Sequence, residues 1–269
     1  MKSSLQLCID IGNTDVHGAV FSGKEMLFEF RKSNRIRPTV DEFGIFLIQL
    51  LQTHGVESGD IREVAAASVV PDSINAVAGA CEKYLERSVL VLEAGVKTGL
   101  KIRVQEPKDV GADRIANAMA AVECHPNENL IVIDTGTATT FCAISAQAEY
   151  LGGSIAAGLA LSMRALGTQT AKLPLVDLVR PKGVLGKTTI QNIQSGLYFG
   201  HIGLIRQMVD GLRSEAFSGE PVCVIATGGH AHLFADEGLF DEIIPALVLR
   251  GLQRALALNR ETSKSTLRG

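Results

Sequence analysis

Apolar residues in the first hundred positions fall into short runs broken by glycines and polar pairs. LQLCID, VHGAVF and MLFEFRK read as three strands separated by Gly-containing turns. The period then lengthens. TVDEFGIFLIQLLQTHG has helical spacing, with Thr39 as the cap, Glu42 three residues on to complete a capping box, and Gly55 just past the end. EVAAASVV predicts a further strand, PDSINAVAGACEKYLE a helix with Pro71 near its entrance, and SVLVLEA another strand.

The second half repeats this grammar. A helix runs from the Gly111 region to His125 and stops at Pro126. Strands follow in NLIVIDTGTATTFCAISAQ and EYLGGSIAAG, then helices at about Leu159–Lys172 and Thr189–Phe217. The strand PVCVIATGG and the helix IPALVLRGLQRALALN close the chain.

One unit occurs twice. LCIDIGNTDVHGAVF around Asp10 and LIVIDTGTATTFCAI around Asp134 both read as apolar strand, Asp-x-Gly-x-Thr, apolar strand. An internal duplication is expected, with a boundary within Thr98–Asp109, giving halves 1–105 and 106–269. The order β-β-β-α-β-α in each half implies a mixed sheet, antiparallel first and parallel later. The fold class expected is α/β.

Composition narrows the function. At 46% hydrophobic residues there is enough apolar material for a sizeable core, and the net charge of −3 supplies no basic face for nucleic acid or an anionic membrane. Five cysteines, Cys8, Cys81, Cys124, Cys142 and Cys223, are widely spread without a CxxC pair. That suits a reducing compartment, and Cys8, Cys142 and Cys223 lie in apolar runs where a thiol acts as a small hydrophobe. No signal-like segment or span-length apolar stretch is visible, so a cytoplasmic protein is expected.

The turn after Asp10 has the chemistry of an anion cradle. A glycine permits unusual dihedrals and close approach to main-chain N–H groups, and Asn13 and Thr14 add donors at the rim. A carboxylate beside phosphates calls for a cation between them, usually hydrated Mg²⁺. A single Asp-x-Gly-Asn is ordinary hairpin punctuation; two copies in equivalent places favour a phosphate clamp. ATGGHA, Ala226–Ala231, again ends an apolar strand in glycines; Gly-Gly ends many strands, but with the two hairpins it suits a backbone surface close to an adenosine.

Two signals point elsewhere or nowhere. GKTT at Gly186–Thr189 imitates the end of a P-loop, but Pro181 occupies the place of that motif's first glycine. His230 and His232 find no third metal ligand at suitable spacing. In VGADRIANAMAAV, Asp113 falls in the first turn of a helix, where an acid suits the helix dipole. Gly111 and Ala112 keep its approach free of bulk and Arg114 adjoins it, so Asp113 could also accept a proton from an attacking hydroxyl.

Taken together, DIGNT at Asp10–Thr14, SVVP at Ser68–Pro71, GADR at Gly111–Arg114, DTGTATT at Asp134–Thr140, GGSIAAG at Gly152–Gly158, GKTTIQNIQSG at Gly186–Gly196 and TGGHA at Thr227–Ala231 carry a resemblance over nearly the whole chain. The chain resembles the type III pantothenate kinases of the acetate and sugar kinase, Hsp70 and actin superfamily. The resemblance implies a duplicated ribonuclease H-like (actin-like ATPase) fold with a cleft between its halves, ATP and Mg²⁺ as cosubstrates, and phosphorylation of pantothenate in coenzyme A synthesis. By it, the ATP phosphate loop is Asp10, Ile11, Gly12, Asn13, Thr14, Asp15, Val16 and His17, with Thr137 a further ATP contact. Asp113 is the proton acceptor. Gly111, Ala112, Asp113 and Arg114 form the pantothenate turn, joined by Thr189. Asp134 is the ligand of an activating K⁺ or NH₄⁺. The resemblance also implies a homodimer with the pantothenate site at the subunit interface.

Val104 stands where many members have a substrate-lining tyrosine, and Ala157 where many have proline. The readings left to compete are a phosphotransferase or phosphatase acting on another small alcohol or a polyphosphate, and a regulator that has kept the fold and lost the chemistry. Intact Asp10, Asp113 and Asp134 speak against the second of these.

Overall fold

The computed structural model describes residues 4–265 and divides into two compact units, each built on one sheet. They do not follow a single cut in the chain. The first comprises residues up to Gly99, Glu106–Ala120 and the chain from Val248; the second comprises Leu100–Gln105 and Ala121–Leu247.

In the first unit, β1 (Leu5–Ile11), β2 (Asp15–Ser22) and β3 (Glu25–Ser33) form an antiparallel meander. After α1 (Val40–Thr53), β4 (Ile61–Ser68) returns parallel to β1, and after α2 (Pro71–Leu85) the short β5 (Val89–Val91) joins β4. The order is β3-β2-β1-β4-β5. Local signals place the helices: Thr39 and Glu42 make the full capping box of α1, Gly55 turns with φ +69°, and Pro71 opens α2 where its missing N–H costs nothing. Leu7, Ile9 and Ile11 of β1 share a core with Phe43, Leu47 and Leu51 of α1 and Val77 and Ala80 of α2. Each fully buried leucine or isoleucine contributes about 2 kcal/mol.

The second unit holds β7 (Leu130–Thr135), β8 (Ala138–Ile144), β9 (Glu149–Ala157), β10 (Cys223–Thr227) and β11 (Glu242–Ile243), preceded in the chain by β6 (Lys101–Ile102). Its order is β6-β9-β8-β7-β10-β11. Apart from the added edge strand β6, this reproduces the first sheet strand for strand and direction for direction. The expected mixed sheet is therefore built twice. β6 and β11 are two-residue strands, too short for period 2 to show in sequence. The core here is made with α5 (Thr189–Phe217), through Tyr198, Ile202, Ile205 and Val209 against Ile131, Ile133 and Phe141.

Helices α3 (Ala112–Cys124) and α6 (Leu247–Ser265) run mostly in the first unit. A Cβ on Gly251 would lie 1.9 Å from the Ala116 carbonyl oxygen, so the two helices meet backbone to backbone. Arg260 of α6 pairs with Glu63 of β4, Nε–Oε1 2.6 Å, and Gln253 donates to the Gly23 carbonyl at 3.0 Å. Helix α4 (Leu159–Gln169) ends three residues before the expected Lys172, as Thr168 and Thr170 turn their hydroxyls back to the carbonyls of Arg164 and Leu166. The segment before α5 is irregular, and GKTT has a structural role: Thr188 caps α5, its hydroxyl accepting from Gln191 N at 3.2 Å.

Candidate active site

Asp10 is the penultimate residue of β1 and stands directly opposite His17 of β2. Between them the chain turns through Gly12, Asn13 and Thr14, with Gly12 N–H donating to the Asp15 carbonyl at 3.0 Å. Gly12 does not adopt a left-handed φ, contrary to the expectation of unusual dihedrals. Its contribution is space, since a Cβ would sit 3.2 Å from the Asp15 carbonyl oxygen.

Buried Asn34 holds this turn from behind. Its Nδ2 donates to the Gly12 carbonyl at 2.7 Å, its N–H donates to the Thr14 carbonyl at 2.8 Å, and its Oδ1 accepts from Ser73 Oγ at 3.3 Å. Sequence reading passed over both Asn34 and Ser73, because a latch from a strand end and a helix start has no local pattern. Asn34→Ala leaves the buried Ser73 hydroxyl unpaired and releases the Gly12 carbonyl. We expect this to cost about 1–3 kcal/mol of stability, measured as a lower thermal midpoint.

His17 bonds through Nε2 to Glu29 at 2.9 Å. Burial lowers the His17 pKa, and the Glu29 bond offsets this in part.

The equivalent turn in the second unit is one residue shorter. Ile11 pairs with Val16 across the first turn, Thr135 with Thr139 across the second. Here glycines from three segments close on the loop. Gly136 N–H donates to the Ala138 carbonyl, and Gly158 N–H to the Thr137 carbonyl at 3.1 Å. A Cβ on Gly158 would fall 2.5 Å from the carbonyl oxygens of both Gly136 and Thr137. Gly228, with φ +92°, lies so close that a Cβ would meet Asp134 Oδ1 at 2.4 Å and Thr135 N at 2.6 Å. The Asp134 carboxylate is thus walled by bare backbone. Thr135 Oγ1 donates to the Thr227 carbonyl at 3.0 Å, and His230 donates through Nδ1 to the Thr135 carbonyl at 3.2 Å. TGGHA therefore braces the second turn directly, a role its sequence alone did not disclose. Thr139 shares a 3.0 Å hydrogen bond with His201 Nε2, and burial lowers that imidazole to about 4, so it is neutral at physiological pH.

The third group is the head of α3. A Cβ on Gly111 would lie 2.4 Å from Asp113 Oδ1, so the carboxylate folds back over that residue and only glycine leaves it there undisturbed. Asp113 and Arg114 are half-buried. Asp10–His17 and Gly111–Arg114 belong to the first unit; Asp134, Thr137 and Thr189 belong to the second. Thr189 is exposed at the start of α5, and Val104 lies beside Gly152, whose Cβ would be 3.8 Å from Val104 Cγ1.

A first signature turn, the GADR helix head and a second, unlike turn, in this order along a chain with duplicated sheets, meet a family profile described as type III pantothenate kinase, which matches residues 6–211. The chain belongs to the type III pantothenate kinases. Curated members of the family include one from Legionella pneumophila, 47% identical over 94% of this chain and 98% of its own, and one from Francisella tularensis, 44% identical over 94% and 99%. Among solved structures, a protein assigned as 2-dehydro-3-deoxygalactonokinase from Sinorhizobium meliloti covers 95% of this chain and 97% of its own, with TM-score 0.60 and 14% identity. A Baf family protein from Campylobacter jejuni covers 95% and 99%, with TM-score 0.59 and 20% identity. These distant likenesses establish the duplicated ribonuclease H-like fold shared with sugar kinases. Family membership makes this chain a kinase, a transferase with an alcohol acceptor.

Proposed function

We propose that this member of the family transfers the terminal phosphoryl group of ATP to the primary hydroxyl of pantothenate, giving 4'-phosphopantothenate. The observation that carries the reading is the Asp113 carboxylate resting over Gly111 at the head of α3, in a chain 47% identical to a curated pantothenate kinase. In this reading the turn at Gly12–Thr14 and the rest of Asp10–His17 bind the ATP phosphates, with Thr137 a further contact. The half-buried Asp10 carboxylate, at a strand end beside that turn, suits outer-sphere contact with hydrated Mg²⁺. When bound, Mg²⁺ neutralises phosphate charge.

Asp113 accepts the proton of the attacking hydroxyl, while Gly111, Ala112, Arg114 and Thr189 position pantothenate. Because the transition state is loose, orientation and charge neutralisation carry most of the acceleration. Asp134, walled by Gly136 and Gly228, offers a compact oxygen site for K⁺ or NH₄⁺. A coupled ADP-release assay with pantothenate tests the whole reading: turnover is expected in K⁺ or NH₄⁺ and loss of most of it in Na⁺ alone. No turnover with pantothenate in any of the three would remove it.

We further assign the working form as a cytoplasmic homodimer with the pantothenate site near the interface. The support is apolar side chains left open in the second unit, among them Val184 (71% exposed), Leu185 (86%) and Ile190 (51%) beside the start of α5. All five cysteines are free, as a reducing compartment requires. No helix among the described residues is long and apolar enough to cross a membrane. Light scattering during gel filtration should report twice the chain mass.

A further inference from the structure

At the opposite end of β7 from Asp134, three metal-ligating side chains converge. His125 follows the last turn of α3, Glu128 lies in the connection to β7, and Cys223 opens β10. Their ligand atoms all lie within 4.8 Å of one another. His125 Nδ1 is 3.7 Å from Glu128 Oε1 and 4.0 Å from Cys223 Sγ. Ligands around a tetrahedral Zn²⁺ stand roughly 3.5 Å apart, so small side-chain movements would close this set on one ion. We propose that His125, Glu128 and Cys223 form a site for a borderline-soft divalent cation of the Zn²⁺ class, with water as the fourth ligand.

The surroundings support a site over a chance surface pair. Glu242 takes the other imidazole nitrogen, Nε2, at 2.7 Å, leaving Nδ1 to face the thiol and the second carboxylate. A carboxylate behind a histidine in this way sets the tautomer needed to ligate a metal. A simple His125–Glu242 ion pair would account for Nε2 alone and not for two ligands gathered at Nδ1.

The backbone is also held. His125 N–H donates to Ala121 O at 2.9 Å, Cys223 N–H to Asn129 O at 2.9 Å, and Val224 N–H to Asp241 Oδ2 at 2.7 Å. Glu128 and Glu242 both reach the His125 ring, so acidic groups flank the cluster on two sides. The half-buried Cys223 is thus set apart from Cys8 and Cys142, which are buried as small hydrophobes.

The location separates this ion from the nucleotide. Cys223 pairs with Leu130, and Asp134 lies four residues further along β7, about 13 Å away at strand rise. An ion here would tie the end of α3 to the starts of β7 and β10, acting on stability and not on phosphoryl transfer. The same cluster depends on no feature of the proposed reaction.

Co²⁺ added to the apo full-length protein provides the test, because a thiolate ligand produces a near-ultraviolet charge-transfer band that an oxygen-only Mg²⁺ site cannot. The band is expected in the wild type and in Cys124→Ser, and absent in Cys223→Ser. Zn²⁺ should abolish it by competition and raise the thermal midpoint by about 5 °C. Glu128 is on the surface, its side chain 53% exposed, so Glu128→Gln should fold normally and weaken Co²⁺ binding at least tenfold. A wild type without the band, a band that survives Cys223→Ser, or Co²⁺ affinity unchanged in Glu128→Gln would overturn the proposal.

Discussion

Asp113→Asn should lower kcat by a hundredfold or more while leaving the protein folded and able to bind ATP. The neutral amide keeps the shape over Gly111 but can no longer take the proton of the incoming hydroxyl, a contribution typically of about 10²–10⁴ in rate. The competing view of Asp113 is structural: an acid in the first turn of α3 stabilises the helix dipole. That effect is only about 0.3–1 kcal/mol. Stability and turnover therefore discriminate between the two roles. Thermal melts should barely move, ATP titration should be near wild type, and single-turnover phosphorylation of pantothenate should collapse. Near-normal turnover would remove Asp113 as the base. Gly111→Ala gives an independent check, because its Cβ displaces the carboxylate and should reproduce much of the kinetic loss with the acid still present.

The second large effect should come from Gly228→Ala. Two costs combine. Gly228 has φ +92°, where an L side chain is strained by about 1–3 kcal/mol, and the new Cβ meets Thr135 N at 2.6 Å, a backbone atom with little freedom to yield. Together these amount to roughly 3 kcal/mol, or a fall of about 10 °C in the thermal midpoint. The same Cβ would press on Asp134 Oδ1 at 2.4 Å, so any K⁺ activation should need a higher concentration of the ion. Differential scanning calorimetry and a K⁺ titration of activity measure the two consequences separately. An unchanged midpoint would mean that the β10 turn relaxes freely and does not brace Asp134.

Much of the architecture was legible before any coordinates. The repeated Asp-x-Gly-x-Thr unit announced two sheets of one design, and the observed orders match strand for strand. The starts of α1 and α2 were readable because their causes are local: Thr39 with Glu42, and Pro71. The family could be read from motif order. What escaped was assembled by residues distant in the chain. Nothing near Asn34 or Ser73 says that they hold the Gly12 turn. Gly251 looks like any helical glycine until the Ala116 carbonyl is found where a Cβ would stand. Cys223, read as an apolar filler, sits within reach of a histidine 98 positions earlier.

The chain by itself determined the order of the main strands and helices, the duplication and the family. The elements depend on short-range backbone preferences and hydrophobic periodicity, which each segment carries with it. The tertiary structure alone decided which backbone atoms wall Asp134, what holds the first turn, how the chain is shared between two compact units, and which side chains gather around His125. Those outcomes arise from packing at van der Waals distance between remote segments, and no local pattern in the sequence encodes such a distance.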